Sequence, residues 1–223
     1  MARSKLIKEF VSEEISLENT LMRLKVILSD LDSEEINQWI NFELTGYPEE
    51  VELPPYRCFE GNPIGTFIVG KYGNGMQYKN APIPLSHLSS EDRKSLILIK
   101  IRDGISGVQR LKDSQNTIAR TIPTEYCHSI SSGNLTIQGM TIQCSPNQFE
   151  DIVSSIKNKV LDILIELEKE FGILDSLDIF SESTDEDKAQ SIASFITNLV
   201  YNDHSIEIGN GNTLKSTDIG HTR

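Results

Sequence analysis

Four histidines, three cysteines and several close carboxylates are the side chains of this 223-residue chain whose types could do chemistry, so their spacing is the first question. His87, His128, His204 and His221 are scattered singly through loop-like sequence, and no two stand at the helical separation that a shared metal needs. Cys127 adjoins His128, but a nucleophile and its base must face each other, which chain neighbours rarely do. Arg120 and His128 have seven residues between them, with Pro123 among these. Helical toxin ribonucleases often place the arginine four to six residues before the histidine, on one helix, so that motif fails here. Glu166, Glu168 and Glu170 alternate by two on a helical stretch, which points them to different sides and reads as a solvated face.

Phosphate chemistry has no better footing. No G-x-x-x-x-G-K-[ST] loop and no G-x-S-x-G elbow occurs, and Gly70, Gly73 and Gly75 have the wrong spacing for a dinucleotide fingerprint. The expectation is a chain that is not an enzyme, with no catalytic residues, no cofactor and no metal.

Charge points to partners instead. The 33 acidic and 21 basic side chains give −12, so nucleic acid and anionic lipid are not the default partners. The distribution is uneven. Residues 146–190 hold twelve acidic and four basic groups, whereas 91–120 holds four acidic groups and a basic strip of Arg93, Lys94, Lys100, Arg102, Arg110, Lys112 and Arg120. The strip could touch a phosphate backbone, but oppositely charged regions of one chain fit self-association at least as well. Cys58, Cys127 and Cys144 form an odd set with no C-x-x-C, as expected of reduced cytoplasmic thiols. No apolar run approaches the roughly 18 residues of a membrane span, and Glu9, Glu13 and Glu14 stand where a secretory signal would be apolar.

The elements that would position these groups read as α+β. Leu17, Leu21, Leu24, Leu28 and Leu31 form one helical face behind Ser16 as N-cap, with a shorter helix at 4–11 ahead. A further helix should run from a Ser33 cap through Ile36, Trp39, Ile40 and Leu44 and stop at Gly46. Eleven prolines and glycines between 47 and 90 exclude long helices there, leaving short strands at 56–60 and 66–69. Residues 90–94 can start a helical turn, 96–101 read as either strand or buried helix with a helix continuing from a Ser90 cap preferred, 105–111 reads as a further helix, and Leu135, Ile137, Met140, Ile142 and Cys144 as a strand within 116–145. Ser145 and Pro146 open the longest helix, whose stripe from Ile152 to Phe171 is widened by Leu161 and Ile165 and ends at Gly172. The expected architecture is an N-terminal helical unit and this long helix packed on a small, mainly antiparallel sheet, filling 1–172. Residues 173–223 then supply a linker, an amphipathic helix from Thr184 and a Gly/Asn-rich tail with one alternating segment around Ile206 and Ile208.

One segment is more specific. Residues 39–48, from Trp39 to Pro48, read W-x-x-x-E-L-x-G-Y-P and are followed by Pro54, Pro55, Tyr56 and Arg57. This run, with the leucine helix before it and the Gly-rich β segment and long helix after it, resembles the AbiTii domain of prokaryotic abortive-infection and anti-phage systems. The resemblance implies a defence role and brings no catalytic residues with it. Trp39 and Leu44 would anchor the helix, and Gly46 would permit a left-handed exit. Tyr47, Tyr56 and Arg57 are then left as polar-tipped groups at one end, either hydrogen-bonded into the loop or contacting a partner.

The reading that follows is a non-enzymatic defence component acting by self-assembly, through Ile192, Ile196, Leu199, Ile206 and Ile208, or by binding a protein encoded nearby. The alternatives are a toxic effector meeting nucleic acid through the 91–120 strip, and an antitoxin or regulator binding a neighbour-encoded toxin through the acidic C-terminal half.

Overall fold

The computed structural model describes residues 3–29, 31, 33–70, 74–114, 116–176 and 186–201, and has the expected α+β architecture. Three helices come first: α1 (Lys5–Val11), α2 (Leu17–Ile27) and α3 (Glu34–Thr45). The Ser16 hydroxyl accepts from the Asn19 amide at 3.1 Å and so caps α2 as its position suggests. Ser33 precedes α3 without a side-chain capping bond, so only the acidic first turn, Glu34 and Glu35, complements that helix end. All five residues of the leucine stripe are buried, although Leu28 caps the helix and Leu31 lies beyond it.

Two sheets follow. Strands β1 (Cys58–Glu60) and β4 (Leu98–Lys100) form an antiparallel pair, while β2 (Asn62–Val69), β3 (Met76–Pro82), β5 (Ile118–Ile122) and β6 (Leu135–Cys144) form a sheet ordered β3-β2-β6-β5. Strands β3 and β5 carry little apolar alternation because both are sheet edges with most residues exposed, and they are absent from the sequence reading. In β6 the buried positions step by two to Ile137, then by three to Met140. The ladder to β2 explains this: Thr66 opposes Gly139 and Phe67 opposes Ile137, so Gln138 is left over and the bulge restores Met140 to the core face.

Helix α4 (Ser90–Ile97) does not continue through 101 as the sequence suggests. Its N-cap is Ser89, whose hydroxyl accepts from the Asp92 amide at 3.0 Å, and Leu98 turns extended to begin β4. The apolar run 96–99 is therefore half helix and half strand, because pairing with β1 supplies main-chain partners that a continued helix would not need. Helix α5 (Ile105–Lys112) follows, and α6 (Thr124–Ser129) stands where a loop around Cys127 and His128 is expected.

Helix α7 (Pro146–Phe171) is the centre of the core, with Phe149, Ile152, Ile156, Val160, Ile163, Leu164 and Leu167 fully covered. The Gln148 carboxamide oxygen accepts from the Ser145 amide at 2.8 Å at its start, and Gly172 ends it with φ +86°. Leu161 is partly buried, but Ile165 lies on the exposed side, so the stripe is narrower than its sequence implies. Helix α8 (Glu186–Tyr201) packs on α7 and α3. Ile192, Ile196 and Val200 belong to the same continuous core as Trp39 and Ile163, so the helical part of the expected C-terminal module is integral to the fold. Among the described residues no helix is long and apolar enough to cross a membrane.

Candidate functional site

Tyr47, Tyr56 and Arg57 are brought together by a residue the sequence reading passed over. On α3 the buried side chains are Ile36, Trp39, Ile40 and Glu43, an i, i+3, i+4, i+7 series that places a carboxylate in the apolar stripe where Leu44 was expected. Leu44 is only partly buried. Gly46 ends the helix with φ +103°, and a Cβ there would lie 2.8 Å from the Arg102 carbonyl oxygen. This is a conformation and a contact that favour glycine. The Tyr47 amide then donates to that carbonyl at 2.7 Å, and its ring folds back over its own helix. Pro54 leads into a single 3-10 turn, Pro55–Arg57, which delivers two more side chains to the same point.

Glu43 Oε1 accepts from the Tyr47 hydroxyl at 2.6 Å, the Tyr56 hydroxyl at 2.8 Å and Arg57 Nε at 3.2 Å, and Glu43 Oε2 accepts from Arg57 Nη2 at 2.5 Å. Arg57 Nη1 donates onward to the carbonyls of Ile101 at 3.2 Å and Asp103 at 2.6 Å. Trp39 Nε1 donates to the Tyr56 hydroxyl at 3.0 Å. The Arg57 guanidinium carbon lies 4.8 Å from the centre of the Tyr47 ring, and Lys159 Nζ lies 5.4 Å from that of Tyr56 while donating to the Leu199 carbonyl at 2.7 Å. Glu43 and Arg57 are 0% exposed. The network thus joins α3, the 3-10 turn, the segment before α5, α7 and α8 through charge-assisted bonds.

Burial, with the Glu43 carboxylate next to it, pushes the Tyr47 phenol far above its usual range, and the same two causes raise Tyr56. Burial works against the Arg57 charge, but the Glu43 carboxylate outweighs it and holds the guanidinium protonated. The chemistry of the cluster is therefore that of a satisfied ion pair: its carboxylate already accepts from three side chains, and its cation donates two bonds to that carboxylate and two to main-chain carbonyls. Tyr47 and Arg57 are buried, and the hydrogen-bonding alternative is the arrangement found at both.

The other expected groups do not converge. Cys127 is fully buried with its thiol against the Ile122 carbonyl at 3.8 Å, while His128 is exposed, so the pair does not face each other. Burial pushes the thiols of Cys58, Cys127 and Cys144 upward. Glu168 turns to the N-terminal segment, accepting from the Ser4 amide and hydroxyl, whereas Glu166 and Glu170 pair with Lys169. Among the described residues no His, Cys, Asp and Glu groups gather as metal ligands. Ile192 and Ile196 are covered by their own chain, and Leu199 is partly so. Ile206, Ile208, His204 and His221 lie outside the described residues.

The basic strip divides. Arg93 and Lys94 are exposed on α4, and Arg110 and Lys112 belong to α5, where Lys112 faces Glu150 at 3.9 Å. Lys100, Arg102 and Arg120 line one open groove of about 720 Å³ between β4 and β5. Arg102 is held there by the carbonyls of Pro48, Glu49 and Val51 and by the Glu49 carboxylate at 3.2 Å. Arg120 reaches out of the second sheet to the first, donating to the carbonyls of Leu96 at 2.5 Å and Leu98 at 3.4 Å. A second hollow, of about 570 Å³, lies beside it and shares Leu98, with Lys94 on its wall.

Compared with known proteins, the chain matches one family model, AbiTii, over residues 4–193. The match runs through the expected boundary at 172 and into α8. No curated protein and no solved structure matches.

Proposed function

Because the chain belongs to the AbiTii family, we propose that it serves prokaryotic abortive-infection defence, and that it acts in the cytoplasm by protein contact rather than by catalysis. The observation that carries this reading is the open groove between β4 and β5, lined by Lys100, Arg102 and Arg120, beside a fold whose most concentrated ionisable cluster is occupied in holding itself together. The partner is a second copy or a protein encoded nearby.

The test is expression of the full chain with its neighbouring genes in a phage-sensitive host. Defence predicts fewer plaques and, at high multiplicity, loss of infected cells without phage release. Unchanged plating and unchanged burst across a broad phage panel would sink the defence reading. Co-purification of the chain with a neighbour's product, or its appearance as a multimer by light scattering, would support the contact mechanism. Growth arrest by the chain alone, abolished by one polar substitution, would overturn it in favour of an effector. Three strip cations sharing one groove favour that second reading, but two of them already hold main-chain carbonyls.

A further inference from the structure

We propose that the outer face of the sheet β3-β2-β6-β5 is the surface on which a second copy of this chain docks, sheet on sheet. This rests on the contact reading above, takes the second copy as the partner and sets the contact apart from the groove. Alternation along the strands gives the sheet two faces. Phe67, Ile122, Ile137, Met140 and Ile142 are buried on one of them. The residues between them stand on the other, where Thr141 opposes both Thr121 and Ile64, Thr66 opposes Gly139, and Thr136 opposes Ile68. Gln77 of β3 donates to Gln138 of β6 at 2.7 Å and so bridges this outer face across β2. Each of these outer positions is exposed or partly exposed.

Charge selects the occupant. Strands β2, β3, β5 and β6 contain no Asp or Glu, although the chain holds 33. Their charged residues are Lys79 and Arg120, and Arg120 stands opposite Ile142 on the core side, donating to the Leu96 and Leu98 carbonyls. A solvated sheet face has no need to shed its charges, whereas depletion of charge marks the centre of a protein interface. Two copies at −12 each repel, so they meet at least cost where neither presents a carboxylate. Gly139 is an independent observation. Glycine weakens a strand interior, yet the φ of Gly139 is not positive and a Cβ there would meet nothing within 4 Å. Among the described residues nothing calls for glycine at this position, whereas a second backbone approaching from outside does. With Thr66, Asn80, Thr121 and Thr141 it lines an open hollow of about 360 Å³. The face is also large enough: four strands about 4.8 Å apart and about 25 Å long cover roughly 500 Å² per copy, or roughly 1,000 Å² for the pair, the lower bound of a specific interface.

The experiment is sedimentation velocity on the full chain alone, over a concentration series reaching about 0.5 mM, as a contact near the lower size bound requires. Expected is a reversible dimer that tightens about threefold or more as salt rises from about 20 to about 500 mM, because salt screens the repulsion between two acidic bodies. Gly139→Glu and Thr141→Glu should each weaken it about tenfold or more, with Met22→Glu, on the exposed side of α2, without effect. Gly139→Thr, for whose Cβ the fold has room, should also weaken the dimer while melting at or above the temperature of the unaltered chain, which separates loss of contact from loss of fold. A monomer throughout the series overturns the proposal, and so does a dimer indifferent to both glutamate variants. A dimer that weakens with salt overturns it as well, since that behaviour belongs to the acidic 146–190 region meeting the basic strip. A dimer lost when the chain ends at 201 does the same. No phage enters the assay. Its failure removes the sheet face and leaves the defence reading intact, whereas failure to restrict phage does the reverse.

Discussion

Glu43 shows what a single residue decides here. A carboxylate with no exposure is tolerable only when its charge and its lone pairs are met, and four donors from three side chains meet them. Glu43→Leu leaves the Arg57 cation buried without its counter-ion and two phenols without their acceptor. The expected loss is about 3–5 kcal/mol in urea unfolding. Adding Arg57→Met to Glu43→Leu should cost far less than the two single losses together, and strict additivity would contradict the coupling. Tyr47 makes the same point through pH. Its phenol is raised in the folded protein above the ordinary value of 10.0, so only the unfolded chain ionises as pH climbs past 10.0. Its contribution is complete below that pH and is lost as pH rises, so the unfolding midpoint should fall on the alkaline side. Tyr47→Phe should make that fall shallower. The position of Glu43 was legible in the helical phase from Ile36, but its environment was not, because its donors come from residues four to fourteen positions away and from a separate turn.

At the scale of elements, α8 and the N-terminal segment are the pieces whose attachment can be measured. Ile196 is fully buried, and Ile196→Ala should cost about 2–5 kcal/mol. Ending the chain at 183 removes α8 from α3 and α7 and should lower the melting temperature and broaden the transition. A cooperative, undiminished melt of the shorter piece would show α8 to be an appendage. The N-terminal segment is tied to α7 by Glu168. Burial acts to raise that carboxyl, but the Ser4 hydroxyl and amide and the Arg3 guanidinium outweigh it, so it titrates below 4.5. The lowered value means that its stabilisation is complete above pH 4.5 and is lost as pH falls through the folded value. Amide exchange of residues 4–11 should accelerate in that window in the native chain, and much less in Glu168→Gln, whose segment is already loosened at neutral pH.

For the whole molecule, the acidic and basic regions matter through the surfaces they share. The −12 is concentrated in 146–190, and the strip at 91–120 is divided between a groove, α4 and α5. Because Ile192 and Ile196 of α8 are covered within the chain, association through them would first require the core to open. Light scattering is therefore expected to give the same oligomeric state for the 1–201 chain as for the full chain if association uses the folded surface. A multimer that becomes a monomer on losing 202–223 would instead assign assembly to the tail. Local periodicity determined most of the helices, the long α7 above all, because a helix's buried face is written at intervals of three and four residues. The W-x-x-x-E-L-x-G-Y-P run, with its flanking elements, pointed to the family that the match over residues 4–193 shows. Tertiary structure alone decided that Arg57 is an internal cation, that the apolar run 96–99 divides between helix and strand, and that the two weakly patterned edge strands β3 and β5 exist. Each of those depends on main-chain and side-chain partners contributed from distant positions, and no local pattern encodes where a distant partner will stand.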